Sequence, residues 1–464
     1  MSAALTLAPR LAAERLRGAR GGAALDLLAV IAFAVSAFLV LTVAGGTWMF
    51  VQRAENPPEQ VRALLDSVPG SDEVLVAYVM LAAIACALLV APVLNLGAGA
   101  ARLGARGRAG RLASLRLVGA TGGEVVAMSV VETLVQALVG TVAGLGLWAA
   151  SLPAWRLVSF HGTPIGAGEM VPPWWLVAAL VLALLALAAL STVLGLQQVR
   201  ISPLGVATRQ TPRALRAWRL GIFLAALAAM WVFGQVFMPT MTDLGGIILV
   251  FVALVLVVVG AVNLVGPWVL QLVARPGTRT GSAAGLIAAR RIVDDPRAAW
   301  RNVSAVALLG MIATVVAIAP MDTAGGQMDP VGAALVVDVR TGVLITLAVG
   351  LVVAATSTLV NQGALVFDRA TESVALDHAG VPRSLFGAIR RRQVLIPLVA
   401  TLAISILTGL VLASPFLASY PFEARGAVLV GATALAGVLL TLAAAEACRP
   451  LQSHVLDSAG RRNN

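Results

Sequence analysis

The sequence predicts an all-α polytopic membrane protein of about ten transmembrane helices, arranged 4+2+4 as two parallel repeats, with both termini cytoplasmic. Three observations carry this reading. Of 464 residues, 59% are hydrophobic and 12% charged, with mean hydropathy +0.93, where soluble domains carry roughly 25% charged residues. Apolar runs long enough to cross a bilayer core, which takes about 20 helical residues, fall near 24–49, 75–99, 125–150, 173–195, 220–238, 245–273, 303–319, 339–361, 394–416 and 425–447. All 33 basic residues are arginine, and with the N-terminus inside, only Arg53, Arg62, Arg156, Arg340 and Arg425 fall outside. The outer segments carry acids instead (Glu55, Glu59, Asp66, Asp72, Glu73, Asp243, Asp322, Asp329), as the positive-inside rule requires.

Composition also excludes chemistry. Without lysine there is no P-loop lysine for ATP phosphates and no Schiff-base lysine. Any ATP and magnesium therefore belong to a partner chain, and this chain holds no cofactor. The missing lysines fit a GC-rich genome. The net charge of +11 reads as positive-inside bias and not as a nucleic-acid surface. Cys86 and Cys448 make no disulfide framework. His161, His378 and His454 are too dispersed in sequence for a metal site, and no Ser/His/Asp constellation is present; no enzyme is expected.

Residues 1–23, with Arg10, Arg15, Arg17 and Arg20, read as a basic amphipathic segment on the inner membrane face. The apolar run that follows is long enough to be a retained first span and not a cleaved signal. Residues 24–199 form a first unit of four spans. Trp48, Trp148, Trp155, Trp174 and Trp175 cluster near its outer ends, as an interfacial belt does. Residues 200–273 hold a linker with spans five and six. Residues 274–464 form a second unit, spans seven to ten, with a short cytoplasmic tail.

The functional signal is a basic hairpin after the second span. Arg108, Arg111 and Arg116 with Leu112 and Leu115 give a short helix with a basic and an apolar side. Gly119 can end it in a left-handed turn, and Thr121 can cap the next helix. A second copy follows the eighth span: Arg369, Glu372, Asp377 and Gly380. Aligning Gly119 with Gly380 also aligns Arg108 with Arg369 and Glu132 with Gln393. Each hairpin either docks on a partner or anchors a loop at anionic lipid. The second is more acidic and has Pro382 after its glycine, so it either docks differently or has lost a strong grip.

Glu132 and Gln136 lie one turn apart in the third span, where a carboxylate is costly. They are either a proton- or substrate-handling site or a structural acid paired with an arginine, and Gln393 replaces the acid in the second unit. Arg390, Arg391 and Arg392 read as an interfacial anchor, Asp294, Asp295 and Arg297 as local caps and pairs. Gly140, Gly144 and Gly146 read as close-packing positions.

The stretch Arg111-Leu-Ala-Ser-Leu-Arg116-Leu-Val-Gly119-Ala-Thr, with Glu132-Thr-Leu after it, resembles the FtsX-like permease family, the membrane subunits of FtsX/MacB-type ABC transporters. The weaker copy around Gly380 and the stretch Ala289–Arg297 add to the likeness, while Arg200-Ile-Ser-Pro203-Leu204, echoed by Arg449-Pro450-Leu451, supports an internal duplication. The resemblance implies two FtsX-like repeats, hairpins that dock on a separate ABC ATPase, about two ATPase copies per chain, and residence in the cytoplasmic membrane. It further implies ATP-driven mechanotransmission to the outer face. Family members often carry a large outer domain, but here the outer segments after the first and seventh spans are about 24 and 19 residues, too short for a core of their own. The expected role is export or outer-leaflet removal of an amphipathic or hydrophobic compound: an antimicrobial peptide, a drug or a lipid. The rival readings are a non-transporting partner coupling an ATPase to a sensor kinase or cell-wall enzyme, and an ion-coupled secondary transporter.

Overall fold

A computed structural model describes residues 20–68, 73–107, 119, 121–200, 218–237, 244–318, 330–417 and 424–460. Most of the expected N-terminal segment, and Arg108, Arg111, Leu112, Leu115 and Arg116 of the first hairpin, lie outside these residues. The helices are α1 (Arg20–Glu55), α2 (Glu59–Asp66), α3 (Glu73–Gly107), α4 (Gly122–Ser151), α5 (Trp174–Arg200), α6 (Trp218–Val232), α7 (Leu244–Ala274), α8 (Ala283–Asp294), α9 (Pro296–Ile318), α10 (Pro330–Asp368), α11 (Ala370–His378), α12 (Arg383–Leu417), α13 (Ala424–Glu446) and α14 (Arg449–Gly460). Ten of them are long and apolar enough to cross a membrane: α1, α3, α4, α5, α6, α7, α9, α10, α12 and α13. The chain is a multi-pass membrane protein.

Several spans run past their apolar stretches. α10 starts at Pro330 and α12 at Arg383, because the apolar run marks only the part a lipid core would cover while the flanking residues remain good helix formers. The helix starts are chemically specified. Thr121 Oγ1 accepts from the Glu124 amide, and the Glu124 carboxylate accepts from the Thr121 amide at 2.9 Å, a capping box that opens α4. Asp295 Oδ1 accepts from the Ala298 amide at 2.9 Å, with Pro296 as the first residue of α9.

In the first unit, α1 packs along both α3 and α4, and α5 closes against α3 and α4. In the second, α9 packs along α10 and α12, and α13 closes against α10, α9 and α12. The pair α6–α7 packs on itself, and α7 rests on α9, α3 and α12. The two units meet where α3 runs beside α10, with α1 also touching α10. The tightest crossings depend on glycine. A Cβ on Gly140 would sit 2.6 Å from the Phe33 Cβ, and one on Gly144 would sit 2.5 Å from the Ala34 carbonyl oxygen of α1. A Cβ on Gly409 of α12 would lie 2.6 Å from the Thr314 Cβ of α9. Gly146 differs from expectation: nothing lies within 4 Å of its Cβ position, so it faces outward and packs against no helix. Leu138, Val139, Val142 and Leu147 of α4 and Leu182, Leu190 and Leu194 of α5 are exposed, as lipid-facing positions of a multi-pass membrane protein are.

One end of the bundle carries Gly119, α11 and the start of α1; it is called the hairpin end. The opposite, far end is capped by α2 and by the segment between α4 and α5. That segment contains a 3₁₀ turn (Leu152–Leu157) and a small antiparallel ribbon of β1 (Ser159–Phe160) and β2 (Thr163–Pro164). The ribbon is a minor departure from the all-α expectation.

Candidate functional site

At the hairpin end, the aligned glycines have the same backbone hand. Gly119 has φ +107° and Gly380 φ +83°, a region that costs an L-residue with a side chain roughly 1–2 kcal/mol. Gly380 closes α11 in a Schellman motif. Its amide donates to the Asp377 carbonyl at 3.0 Å, and the Val381 amide donates to the Leu376 carbonyl at 3.1 Å. The acids of the second hairpin are engaged within the chain. Glu372 pairs with Arg291 of α8 at 2.8 Å, and Arg383 reaches both Asp377 at 3.8 Å and Asp457 of α14 at 2.9 Å. Arg383 and Asp457 are open to solvent, so that pair is worth no more than about 1 kcal/mol, whereas Arg291 is only 13% exposed against Glu372 at 49%. Arg369 lies near Arg291 and Glu372. Burial lowers the affinity of its guanidinium for its proton, with Arg291 acting the same way and Glu372, Asp295 and Asp294 opposing.

Within the bundle, Glu132 is 6% exposed. Gln136 Nε2 donates to Asp26 Oδ1 of α1 at 2.8 Å, and Asp26 is itself buried. Gln136 thus faces a second acid that sequence reading did not single out. Gln393 is buried in α12, away from that group by chain and by unit. Arg390 departs from the expected lipid anchor. It is 6% exposed and donates to Glu446 at 3.0 Å and Gln452 at 2.6 Å, tying α12 to α13 and α14. Arg391 and Arg392 remain exposed; three consecutive helical positions spread over about 200° of the helix surface, so they cannot all face one way.

The densest polar group lies at the far end. Arg53, at the end of α1, is 2% exposed. Its Nε donates to Glu169 Oε2 at 2.6 Å, Nη1 to the Phe160 carbonyl at 2.8 Å and to Thr163 Oγ1 at 3.0 Å, and Nη2 to the Pro164 carbonyl at 3.2 Å. One guanidinium thereby fixes the whole β ribbon, using the fork geometry that sets arginine apart from lysine. The loop of that ribbon is His161-Gly162, with φ +55° and +71°, the double-positive pattern of a type I′ hairpin. Further along the same segment, Gly45 of α1, whose missing side chain admits the Met170 carbonyl, seats the stretch before α5. Asp338 of α10, 4% exposed, completes the group. Its Oδ2 accepts from Tyr78 Oη of α3 and from the His161 amide, both at 2.6 Å. The rings of Phe50, Tyr78, Phe160 and His161 pack together, with Tyr78 and His161 centroids 3.9 Å apart. Burial, with Arg53 adding, pushes the His161 imidazole down to about 4, so it is neutral at ordinary pH.

Midway along the bundle, a cleft of about 20 Å³ is lined by Asn95 of α3, Asn263 of α7, Ser304 and Met311 of α9 and Ser405 and Thr408 of α12. That is room for about one water. No cluster of three or more His, Cys, Asp or Glu able to hold a metal occurs among the described residues.

Residues 81–203 match the family model described as FtsX-like permease C-terminal. The match takes in α3 from residue 81, the first hairpin, α4 and α5. Comparison with curated proteins and with solved structures returns no match.

Proposed function

We propose, on the premise that residues 81–203 are an FtsX-like permease domain, that this chain is the membrane permease component of an ABC-type system. A separate P-loop ATPase supplies the work, at two copies per chain. The two hairpins, around Gly119 and Gly380, face the cytoplasm and dock on it: Arg108, Arg111 and Arg116 with Leu112 and Leu115 in the first, Arg369, Glu372 and Asp377 in the second. The two four-helix units are parallel repeats, each acting as one half of a pseudo-dimer, and α6–α7 is the linker between them. The observation that carries this reading is that the family match spans the first hairpin while the hairpin glycines share a left-handed φ. The matched neighbour pattern of the two units supports the duplication.

The output is export or outer-leaflet removal of an amphipathic or hydrophobic compound, driven by movement transmitted along the helices. The narrowness of the mid-bundle cleft supports transmission over passage of cargo through the bundle. The same narrowness favours a second reading, a regulatory partner that couples the ATPase to another membrane or wall protein and moves nothing. The test is a mild-detergent pull-down from native cells, with and without Arg108→Glu, Arg111→Glu and Arg116→Glu together. Co-purification of a P-loop ATPase at two copies, lost in the variant, is expected; no ATPase in either sample sinks the proposal. Stimulation of that ATPase by a small amphiphile marks a transporter, and stimulation only by a protein marks the regulator.

A further inference from the structure

α3 and α10 occupy matching places in their units and run side by side. Their contact includes Val93 with Val353, and Gly99 with Val360. Each leads at the hairpin end into one of the two hairpins: α3 ends at Gly107, just before residues 108–119, and α10 ends at Asp368, just before α11. Each carries at the far end one member of a single hydrogen bond, Tyr78 on α3 and Asp338 on α10. From either residue to the hairpin end of its helix is about 45 Å at 1.5 Å per residue. The two helices that bear the hairpins are therefore joined to each other at their opposite tips.

The junction is more than an apolar core contact. Val331 of α10 shares a buried apolar cluster with Leu75 of α3, and beside it one buried carboxylate oxygen serves two donors from the other unit, the Tyr78 hydroxyl and the His161 amide. A well-packed apolar contact would hold such a junction at least as firmly, because buried charge carries a desolvation penalty. The His161 amide is presented by a left-handed φ of +55°, a conformation in which a residue other than glycine is held at a cost. α3 also has an internal pivot. Pro92 lies inside the helix between Tyr78 and Gly107; it has no amide to donate to the Leu88 carbonyl, which leaves the helix easiest to bend there.

We propose that Tyr78 and Asp338 form a clasp between the far tips of the two hairpin-bearing helices, and that ATP-driven movement of the hairpins opens it. α10 acts as the rigid arm and α3 swings at Pro92. The opening step rests on the reading of the chain as an ATPase-coupled permease. The clasp itself does not.

The test places spin labels at Val76→Cys and Val337→Cys, both exposed at the far tips, in a Cys86→Ala/Cys448→Ala chain held in lipid nanodiscs. The distance distribution is read by pulsed electron paramagnetic resonance. The chain alone gives one narrow distance. Asp338→Asn, which still offers an acceptor oxygen, keeps it. Tyr78→Phe and Asp338→Leu lower the closed-to-open ratio roughly 10- to 100-fold, as loss of a hydrogen bond to a charged group does, and show a longer distance. If Tyr78→Phe and a folded Asp338→Leu both keep the parent distribution, there is no clasp; should Asp338→Leu not fold, Tyr78→Phe decides alone. In the complex with the co-purified ATPase, a non-hydrolysable ATP analogue brings out the longer distance in the parent. An intact complex whose distance ignores nucleotide overturns the opening step. Absence of any complex overturns the permease reading instead and leaves the Tyr78→Phe result standing.

Discussion

Replacing Arg53 by methionine is the most demanding test of the far-end group. Methionine fills much of the volume of the arginine stem, so the change removes the guanidinium and little packing. Hydrogen bonds to a charged group contribute about 1.5–3 kcal/mol each, and taking one partner from a buried ion pair costs about 3–5 kcal/mol. Two features lower the figure here. Glu169 is about a third exposed, so water can serve its carboxylate. The Phe160 carbonyl keeps Thr163 Oγ1 as a donor at 3.0 Å. The Pro164 carbonyl loses the donor it has in Arg53. The net loss is therefore about 3 kcal/mol, near the bottom of the range, or roughly 150-fold in the opening equilibrium of the ribbon. The reporter is the Ile165 amide, which donates to the Val158 carbonyl at 2.9 Å across the ribbon. Its hydrogen exchange, measured in nanodiscs, should accelerate roughly 150-fold if exchange follows local opening. Acceleration of less than about threefold, under roughly 0.7 kcal/mol, would refute the claim that one guanidinium holds the segment.

Gly380→Val forces a β-branched residue into φ +83° and should destabilise the end of α11 by about 1–2 kcal/mol, read as faster proteolysis at residues 379–383 and weaker retention of the ATPase. Gly144→Leu should lower the thermal midpoint in detergent by several degrees, because its Cβ alone would meet the α1 backbone and overpacking costs about 1–3 kcal/mol; Gly146→Leu, into open space, should leave it within a degree, and equal shifts would refute the packing assignment. His161 is neutral in the fold down to about 4, against about 6.5 when unfolded, so between these values only the open ribbon takes up the proton. Ribbon stability is then full above about 6.5 and is lost as pH falls toward 4, and Ile165 protection, corrected for intrinsic exchange, should follow it. His161→Asn, which tolerates a left-handed φ, should abolish that slope, and a slope that persists would show that a group other than His161 carries it.

The spans were legible because lipid imposes one requirement, an apolar length, that sequence displays directly. The left-handed Gly119 was legible because a short helical stretch that ends in Gly before a new apolar run commonly closes in a left-handed turn; Gly380 followed only by alignment with it. Arg390 was misread because a run of three arginines shows charge and not facing. The far-end group was missed for a different reason. Arg53 finds Glu169 at a separation of 116 residues, and Tyr78 finds Asp338 at 260; no local pattern encodes such pairings. Faint signals existed. Arg53 is one of five arginines against the charge bias, and Asp338 lies where an apolar span begins. Ser-Phe-His-Gly-Thr-Pro has the small two-residue loop of a hairpin between two β-compatible residues. Each is an exception to its surroundings, and their convergence appears only in three dimensions.

The two ends of the bundle are held by different physics, and that difference decides where movement can begin. At the hairpin end, Arg383–Asp457 is an exposed pair and Glu372–Arg291 a half-exposed one, Arg291 being 13% and Glu372 49% open, so water and salt reach both. An arriving protein surface can replace them at small cost, so α11 is free to exchange internal partners for external ones. At the far end, Arg53, His161, Tyr78 and Asp338 are buried, so their bonds cannot be traded for water piecemeal and the group opens cooperatively or not at all. α10, 39 residues without an internal proline after Pro330, spans both regimes. Under the proposed docking, a cheap rearrangement at its α11 end and an all-or-none junction at Asp338 would convert graded binding energy into a two-state output. Stiffening the first by disulfide-linking α11 to α8 should therefore silence the second, while Asp338→Leu should leave ATPase docking intact.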